Sequence, residues 1–268
     1  MSTSSLGTAL VTGASTGIGA VYADRLARRG HDLVLVARDG QRLEALAAKL
    51  RADTGRTVDV LVANLASSAD VARVEQRIVD DAAITLLVNN AGRSLNGDTL
   101  ENSVEDVEAI IALNITAAAR LAIAAGKAFG ARGKGSIVNV ASILAIHYQS
   151  FEGVYDGSKA FLLALSRNIA ERVRDKGVHV QAVLPGATRT EIWERSGKDI
   201  DSFPPEMVMD AGDLVDAALL GLDRGEEVTI PPLADEGLWT AYEDARQAML
   251  GVLSNRDPAP RYREAVTV

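Results

Sequence analysis

Cysteine is missing from all 268 residues, which excludes disulfides, thiolate metal ligands and a cysteine nucleophile together. Histidine is nearly missing. His31, His147 and His179 lie far apart, so no paired-histidine zinc motif and no histidine-rich tract can form, and no metal site is expected. Basic charge is in deficit: Lys plus Arg number 28 against 36 Asp plus Glu, a formal net charge of −8, and no nucleic-acid footprint is expected. Unbroken apolar runs of membrane length are lacking too. The most apolar stretch, 109–126, is interrupted by Asn114, Thr116 and Arg120, whereas a membrane span wants about 20 mostly apolar residues. It reads as a buried helix. Residues 1–7 show no basic region followed by an apolar run, so no signal peptide or membrane partner is expected, and a cytoplasmic location is the default. What remains is ordinary: 47% hydrophobic and 24% charged residues fit a chain with a sizeable core and one domain over 1–268.

Short apolar runs alternate with helical patterns along the chain. The runs at 8–12, 32–37, 58–62, 84–88, 136–140 and 178–183, with a weaker one at 227–230, predict strands. Most are continuous rather than alternating, as expected of strands covered on both faces. Helical spacing predicts helices over 18–29, 41–53, 71–80, 104–129, 155–175 and 214–222. Repeated strand–helix alternation implies right-handed crossovers and an α/β, doubly wound, Rossmann-type parallel sheet of about seven strands with helices on both faces. The stretch 191–209, with Gly197, Pro204, Pro205 and scattered aromatics, is long for a loop in a compact domain and reads as a substrate lid.

Two constellations carry chemistry. The first strand runs into Thr12-Gly13-Ala14-Ser15-Thr16-Gly17-Ile18-Gly19 and then a helix. Spaced glycines there let the backbone approach a pyrophosphate whose charge sits on the helix N-terminus. The spacing is G-x-x-x-G-x-G rather than G-x-G-x-x-G, and a ligand-free glycine-rich turn is the bland alternative. The second constellation is Tyr155 and Lys159, four apart and so on one helix face about 5–6 Å apart at Cβ. An adjacent ammonium favours phenolate. A tyrosine near 10 must fall by roughly three units, about 4 kcal/mol, to work near neutrality. Alone, a Tyr and a Lys at this spacing are common by chance.

They are not alone. Asn89-Asn90-Ala91-Gly92 follows the fourth strand, Asn114 sits in the next long helix, and Ser142 lies just past the fifth strand. Pro185-Gly186-Ala187-Thr188-Arg189-Thr190 follows the sixth. With the glycine turn and the Tyr–Lys pair, these six motifs, in this order over almost the whole chain, resemble the ordinary branch of the short-chain dehydrogenase/reductase family. The resemblance implies an oxidoreductase that interconverts a carbonyl and a secondary alcohol by hydride transfer. Tyr155 would be general acid or base, and Lys159 would bind the nicotinamide ribose and lower the tyrosine pKa. Ser142, with Tyr155, would hold the substrate oxygen, and Asn114 would hold a water for proton relay. Gly13, Ser15, Thr16, Gly17, Ile18, Gly19, Asn90, Ala91, Gly92, Pro185, Gly186, Thr188 and Thr190 would join Tyr155 and Lys159 in holding the cofactor. Asn64-Leu65 replaces the family's usual adenine-contacting Asp, and the Asn64 amide oxygen can still accept from the adenine amino group.

The cofactor choice turns on the end of the second strand, Val36-Ala37-Arg38-Asp39. NAD enzymes usually place an acidic residue there. Here Ala37 stands at that position and Arg38 follows, and a guanidinium grips a 2′-phosphate with two parallel bonds. NADP is therefore expected, with NAD as the alternative, and Asp39 is read as a helix cap. His147, Tyr148, Gln149 and Phe151 fall where the family builds pocket wall. Trp193 and Phe203 either close over an apolar substrate or pack elsewhere, and His31 reads as loop surface. Phe161, Leu162, Leu163, Leu165 and Ile169 give helix 155–175 more apolar surface than one sheet face needs, and the resemblance implies a homodimer or homotetramer. A regulatory protein of the same fold without turnover is the rival reading. An epimerase or dehydratase is disfavoured by the glycine spacing.

Overall fold

The computed structural model describes residues 6–95, 99–148, 153–197 and 199–263. Seven strands form one sheet: β1 (Thr8–Thr12), β2 (Asp32–Ala37), β3 (Val58–Val62), β4 (Ile84–Asn89), β5 (Gly135–Val140), β6 (Val178–Val183) and β7 (Val228–Thr229). All neighbouring pairs are parallel, in the order β3-β2-β1-β4-β5-β6-β7. Successive residues of a strand face opposite sides, and both sides are covered. Ala9, Val11, Leu33 and Leu35 pack with Tyr22 and Leu26 of α1 (Gly17–Arg28), Leu43 and Leu50 of α2 (Gly40–Thr54) and a C-terminal helix described below. Leu10, Val34, Val36 and Leu87 pack against Val74 and Ile78 of α3 (Ser68–Asp80) and against helices from the second half of the chain. This two-sided burial explains the continuous apolar runs. Each fully buried Leu or Ile contributes about 1.5–3 kcal/mol.

The predicted helix 104–129 is three pieces: α4 (Val104–Ile110), a π-helical turn (Ile111–Ala117) and α5 (Ala118–Arg132). By length and composition alone Val104–Arg132 is long and apolar enough to cross a membrane. In the fold, Leu121, Ala122, Ala125 and Phe129 are buried in the core. Helix α6 (Gly153–Val173) is keyed to the sheet by a buried polar chain. Asn89 Nδ2 donates to Asn139 Oδ1 (3.1 Å) and to the Ala118 carbonyl (2.8 Å), and Asn139 Nδ2 donates to Ser166 Oγ (2.9 Å). Leu162, Leu163 and Ile169 are buried within the chain itself, so of the surplus apolar surface expected on this helix mainly Phe161 stays exposed.

The predicted lid holds α7 (Ile192–Arg195) and two 3-10 turns, Ile200–Ser202 and Pro205–Met207. Its two ends are stitched together. Met209 N donates to Ala187 O (2.9 Å) and Arg189 N to Met209 O (3.0 Å). The chain then enters α8 (Ala211–Asp223), whose Val215 and Leu219 complete the first core. His31 is not loop surface: it is half-buried, its Nδ1 lies 3.2 Å from the Gly7 carbonyl, and burial pushes its imidazole below the ordinary value.

A single domain was expected over 1–268. By contacts the chain divides at Pro232, and the first unit holds the sheet and all the residues discussed so far. The second contains α9 (Glu236–Met249), which the sequence reading did not predict. Asp235 caps it, and none of its residues is buried.

Candidate active site

The strand order reverses between β1 and β4, which opens a crevice beyond their C-terminal ends. Gly13 leaves β1 with φ +66°, a left-handed turn that side chains resist. Gly19 has no room for a side chain: a Cβ there would lie 2.3 Å from the Gly13 carbonyl oxygen and 2.6 Å from Asn90 Nδ2. Thr12, fully buried, ties the two strand ends. Its Oγ1 accepts from Asn90 N (2.9 Å) and Ala91 N (3.0 Å), while Asn90 Nδ2 donates to Thr12 O (3.0 Å).

The crevice is a cavity of about 1080 Å³. Every predicted cofactor and catalytic residue lines it except Gly19 and Asn114. Those two stand behind the wall. Gly19 permits the close approach of α1, and Asn114, 2% exposed, sits in the π turn. Its Oδ1 accepts from Arg93 N (2.9 Å), and its Nδ2 donates to Arg93 O (2.8 Å) and Ser158 Oγ (3.2 Å). Both amide donors and one lone pair of the oxygen are thus engaged in clamping the backbone next to Gly92. A Cβ at Gly92 would lie 3.3 Å from Asn114 Oδ1 and 3.6 Å from Lys159 Nζ.

Lys159, on α6, is 6% exposed, and its Nζ donates to the Val140 carbonyl at the end of β5 (2.9 Å). Burial pushes its ammonium down to about 8, so it is still mostly charged at pH 7. The Tyr155 ring centroid lies 5.6 Å from Nζ. Ser142 follows β5 in extended conformation, and its Oγ accepts from Leu144 N (3.1 Å), capping the 3-10 turn Ile143–Ala145. One lone pair is thereby used, and among the described residues the hydroxyl proton has no acceptor, so it can donate. Tyr155, Lys159 and Ser142 share the cavity, which gives one wall a phenol, a buried cation and a hydroxyl.

At the other end lie Ala37, Arg38, Asp39, Asn64 and Leu65. Asp39 Oδ1 accepts from Arg42 N (3.0 Å), the expected helix cap. Arg38 is exposed and makes no ion pair among the described residues. Asn64 Oδ1 accepts from Ala66 N (3.2 Å), which commits one of the two lone pairs expected to meet adenine.

Sequence reasoning missed Arg42 and Glu191, which also line the cavity and are joined at 2.8 Å. They are 149 positions apart, and no local pattern links them. Trp193 lines the cavity with its indole N–H donating to Thr188 O (2.7 Å), and Phe203 meets it edge-on at 5.2 Å. His147 and Tyr148 do not form the pocket wall expected of them. Both are exposed and neither lines the cavity. Gln149 and Phe151 lie outside the described residues.

A family model described as short chain dehydrogenase matches residues 7–201. A curated relative, 17-beta-hydroxysteroid dehydrogenase type 3 of Homo sapiens, is 32% identical over 184 residues, covering 68% of this chain and 59% of that protein's length. A solved short-chain dehydrogenase from Sphingobium yanoikuyae, in complex with NADPH, superposes with a TM-score of 0.94 at 48% identity, covering 96% of this chain and 100% of its own. The bulky-bulky ketone specific alcohol dehydrogenase from Comamonas testosteroni gives 0.90 at 43% identity over 97% of this chain and 100% of its own.

Proposed function

The chain belongs to the short-chain dehydrogenase family of oxidoreductases, and from that premise we propose that it interconverts a carbonyl and a secondary alcohol with NADP(H). The observation that carries the proposal is the pairing of Tyr155 with a buried, hydrogen-bonded Lys159 on the wall of a cavity built to take a dinucleotide. The cavity residues fit that group. The Gly13 turn and the space that Gly19 leaves bring α1 against the crevice, and Arg38, with no ion pair among the described residues, stands where Ala37 replaces a carboxylate.

When bound, the nicotinamide supplies or accepts the hydride. Tyr155 gives its hydroxyl proton to the substrate oxygen in reduction and takes it back in oxidation. The Lys159 charge, close by and shielded from solvent, favours the phenolate that remains. The free donor of Ser142 fixes the substrate oxygen. Asn114 clamps the backbone beside Gly92, and the second lone pair of its Oδ1 can still accept from a relay water. Leu113, Ile192 and Trp193 give the cavity apolar lining. That lining, with the likeness to an enzyme described as specific for bulky-bulky ketones, supports a ketone with apolar substituents. Ile111, Ile123 and Phe161, exposed on the long helices, support pairing of two or four copies.

The test is Tyr155→Phe, assayed on a panel of ketones and alcohols with both cofactors. General acid–base catalysis contributes about 10²–10⁴-fold, so turnover should fall by that much while NADPH binding stays within about twofold. Wild-type turnover in the variant would sink the assignment. NADPH binding with no turnover of any carbonyl by the wild type would favour a non-catalytic role.

A further inference from the structure

We propose that Arg42 is a second ligand for the 2′-phosphate of NADP(H), held in place by Glu191 and handed over to the phosphate when the cofactor binds. The inference rests on the NADP(H) reading above and adds a residue that reading does not use. Arg42 lies in the first turn of α2, and the cap formed by Asp39 fixes its backbone. Its guanidinium stretches to Glu191, with Nη1 2.8 Å from Oε2, while Nε stands 3.5 Å from Asp39 Oδ2. Arg38, Asp39, Arg42 and Glu191 all line one cavity, beside the Ala37 position that leaves space for a phosphate.

Two physical arguments favour the handover. The Arg42–Glu191 pair is easily given up, because the side chains are 49% and 41% exposed and such pairs contribute little to stability. A phosphate carrying about −1.5 to −2 charges and three acceptor oxygens offers a guanidinium a stronger, two-bonded partner. Charge balance points the same way. Among the described residues at this end of the cavity, the phosphate would without Arg42 meet one cation, Arg38, with the carboxylates of Asp39 and Glu191 close by. With Arg42 turned toward it, two cations offset two carboxylates and the incoming anion has a net attractive site. Arg42 and Glu191 therefore act in opposite senses on one discrimination, and an adenosine ribose without the phosphate would leave the pair as it stands.

Calorimetric titration of NADPH and NADH into the wild type, Arg42→Gln, Glu191→Gln and Arg38→Ala tests this. Arg42→Gln should weaken NADPH by about tenfold or more and change NADH by less than about twofold. Glu191→Gln, which frees Arg42 and removes a repelling carboxylate, should tighten NADPH by about two- to fivefold and leave NADH unchanged. Arg42→Gln weakening both cofactors equally, or neither, would overturn the proposal and leave Arg42–Glu191 as a tie between α2 and the segment after β6. The controls separate the two levels. A wild type that does not prefer NADPH defeats the underlying reading. A wild type that does, with a selective loss in Arg38→Ala and none in Arg42→Gln, defeats this inference alone.

Discussion

The two ends of the cavity are built from opposite kinds of polar group. At the Tyr155 end they are buried and committed: Lys159 to the Val140 carbonyl, Asn114 to both main-chain groups of Arg93, Thr12 to Asn90 and Ala91. At the Arg38 end they are exposed and exchangeable, as in Arg42 shared between Asp39 and Glu191. A buried donor that loses its partner costs about 1–3 kcal/mol, so packing enforces the geometry of the first end. An exposed ion pair costs little to break, so the second end can reorganise around an incoming anion. Proton transfer needs the first property, and telling one cofactor from another is served by the second.

Lys159→Met strikes the committed end hardest. Removing the cation placed beside the Tyr155 ring should lower turnover by about 10³-fold, measured with saturating cofactor. Gly19→Ala breaks the same end from behind. Its Cβ would collide with the Gly13 carbonyl and with Asn90, whose amide is held by the Thr12 and Gly13 carbonyls. Forced overpacking of this kind costs about 1–3 kcal/mol, so chemical denaturation should show a loss near the top of that range, with weaker cofactor binding.

Lys159→Met should also stabilise the cofactor-free protein. The Lys159 pKa is about 8 in the fold against 10.5 for the free side chain. The unfolded chain therefore binds more protons between those values, and wild-type stability rises with pH across that window. At pH 7 the buried charge costs about 3 kcal/mol, since each unit is worth about 1.36 kcal/mol. Leaving the Val140 carbonyl without its donor returns about 1 kcal/mol, so a net gain of about 2 kcal/mol is expected. The gain should shrink as pH rises from about 8 toward 10.5. A loss of stability at pH 7 would mean that the committed end does not pay for its function.

The same contrast governs how much could be read from the sequence. The strands were legible because two-sided burial writes continuous apolar runs, and all seven lie within a residue of the observed ends. The cavity motifs were legible because each follows a strand. The π turn at Asn114 was not, since Ile111 to Ala117 keeps an apolar helical composition whether or not a turn is widened. Arg42 with Glu191 escaped because exposed charges on separate elements leave no periodicity. Helix α9 was missed although its apolar residues recur at helical spacing, and none of them is buried.

The smallest effect tests whether partners, rather than burial alone, hold the committed end together. Tyr22 on α1 lies in the first core cluster, 1% exposed, and its hydroxyl has no hydrogen-bond partner among the described residues. Burial accordingly pushes its phenol above the ordinary value. It is a buried polar group of the kind found beside Tyr155, but without the commitment. Tyr22→Phe removes the hydroxyl and keeps the ring that packs against β1 and β2. An unsatisfied buried hydroxyl costs about 1–3 kcal/mol, and the small void left behind takes back part of that, so the variant should be about 1 kcal/mol more stable in urea denaturation. Ser142→Ala, which removes an oxygen that accepts from Leu144 N, should move stability the other way. Equal shifts of the same sign in both variants would mean that burial alone decides, and the contrast between the two ends would lose its physical basis.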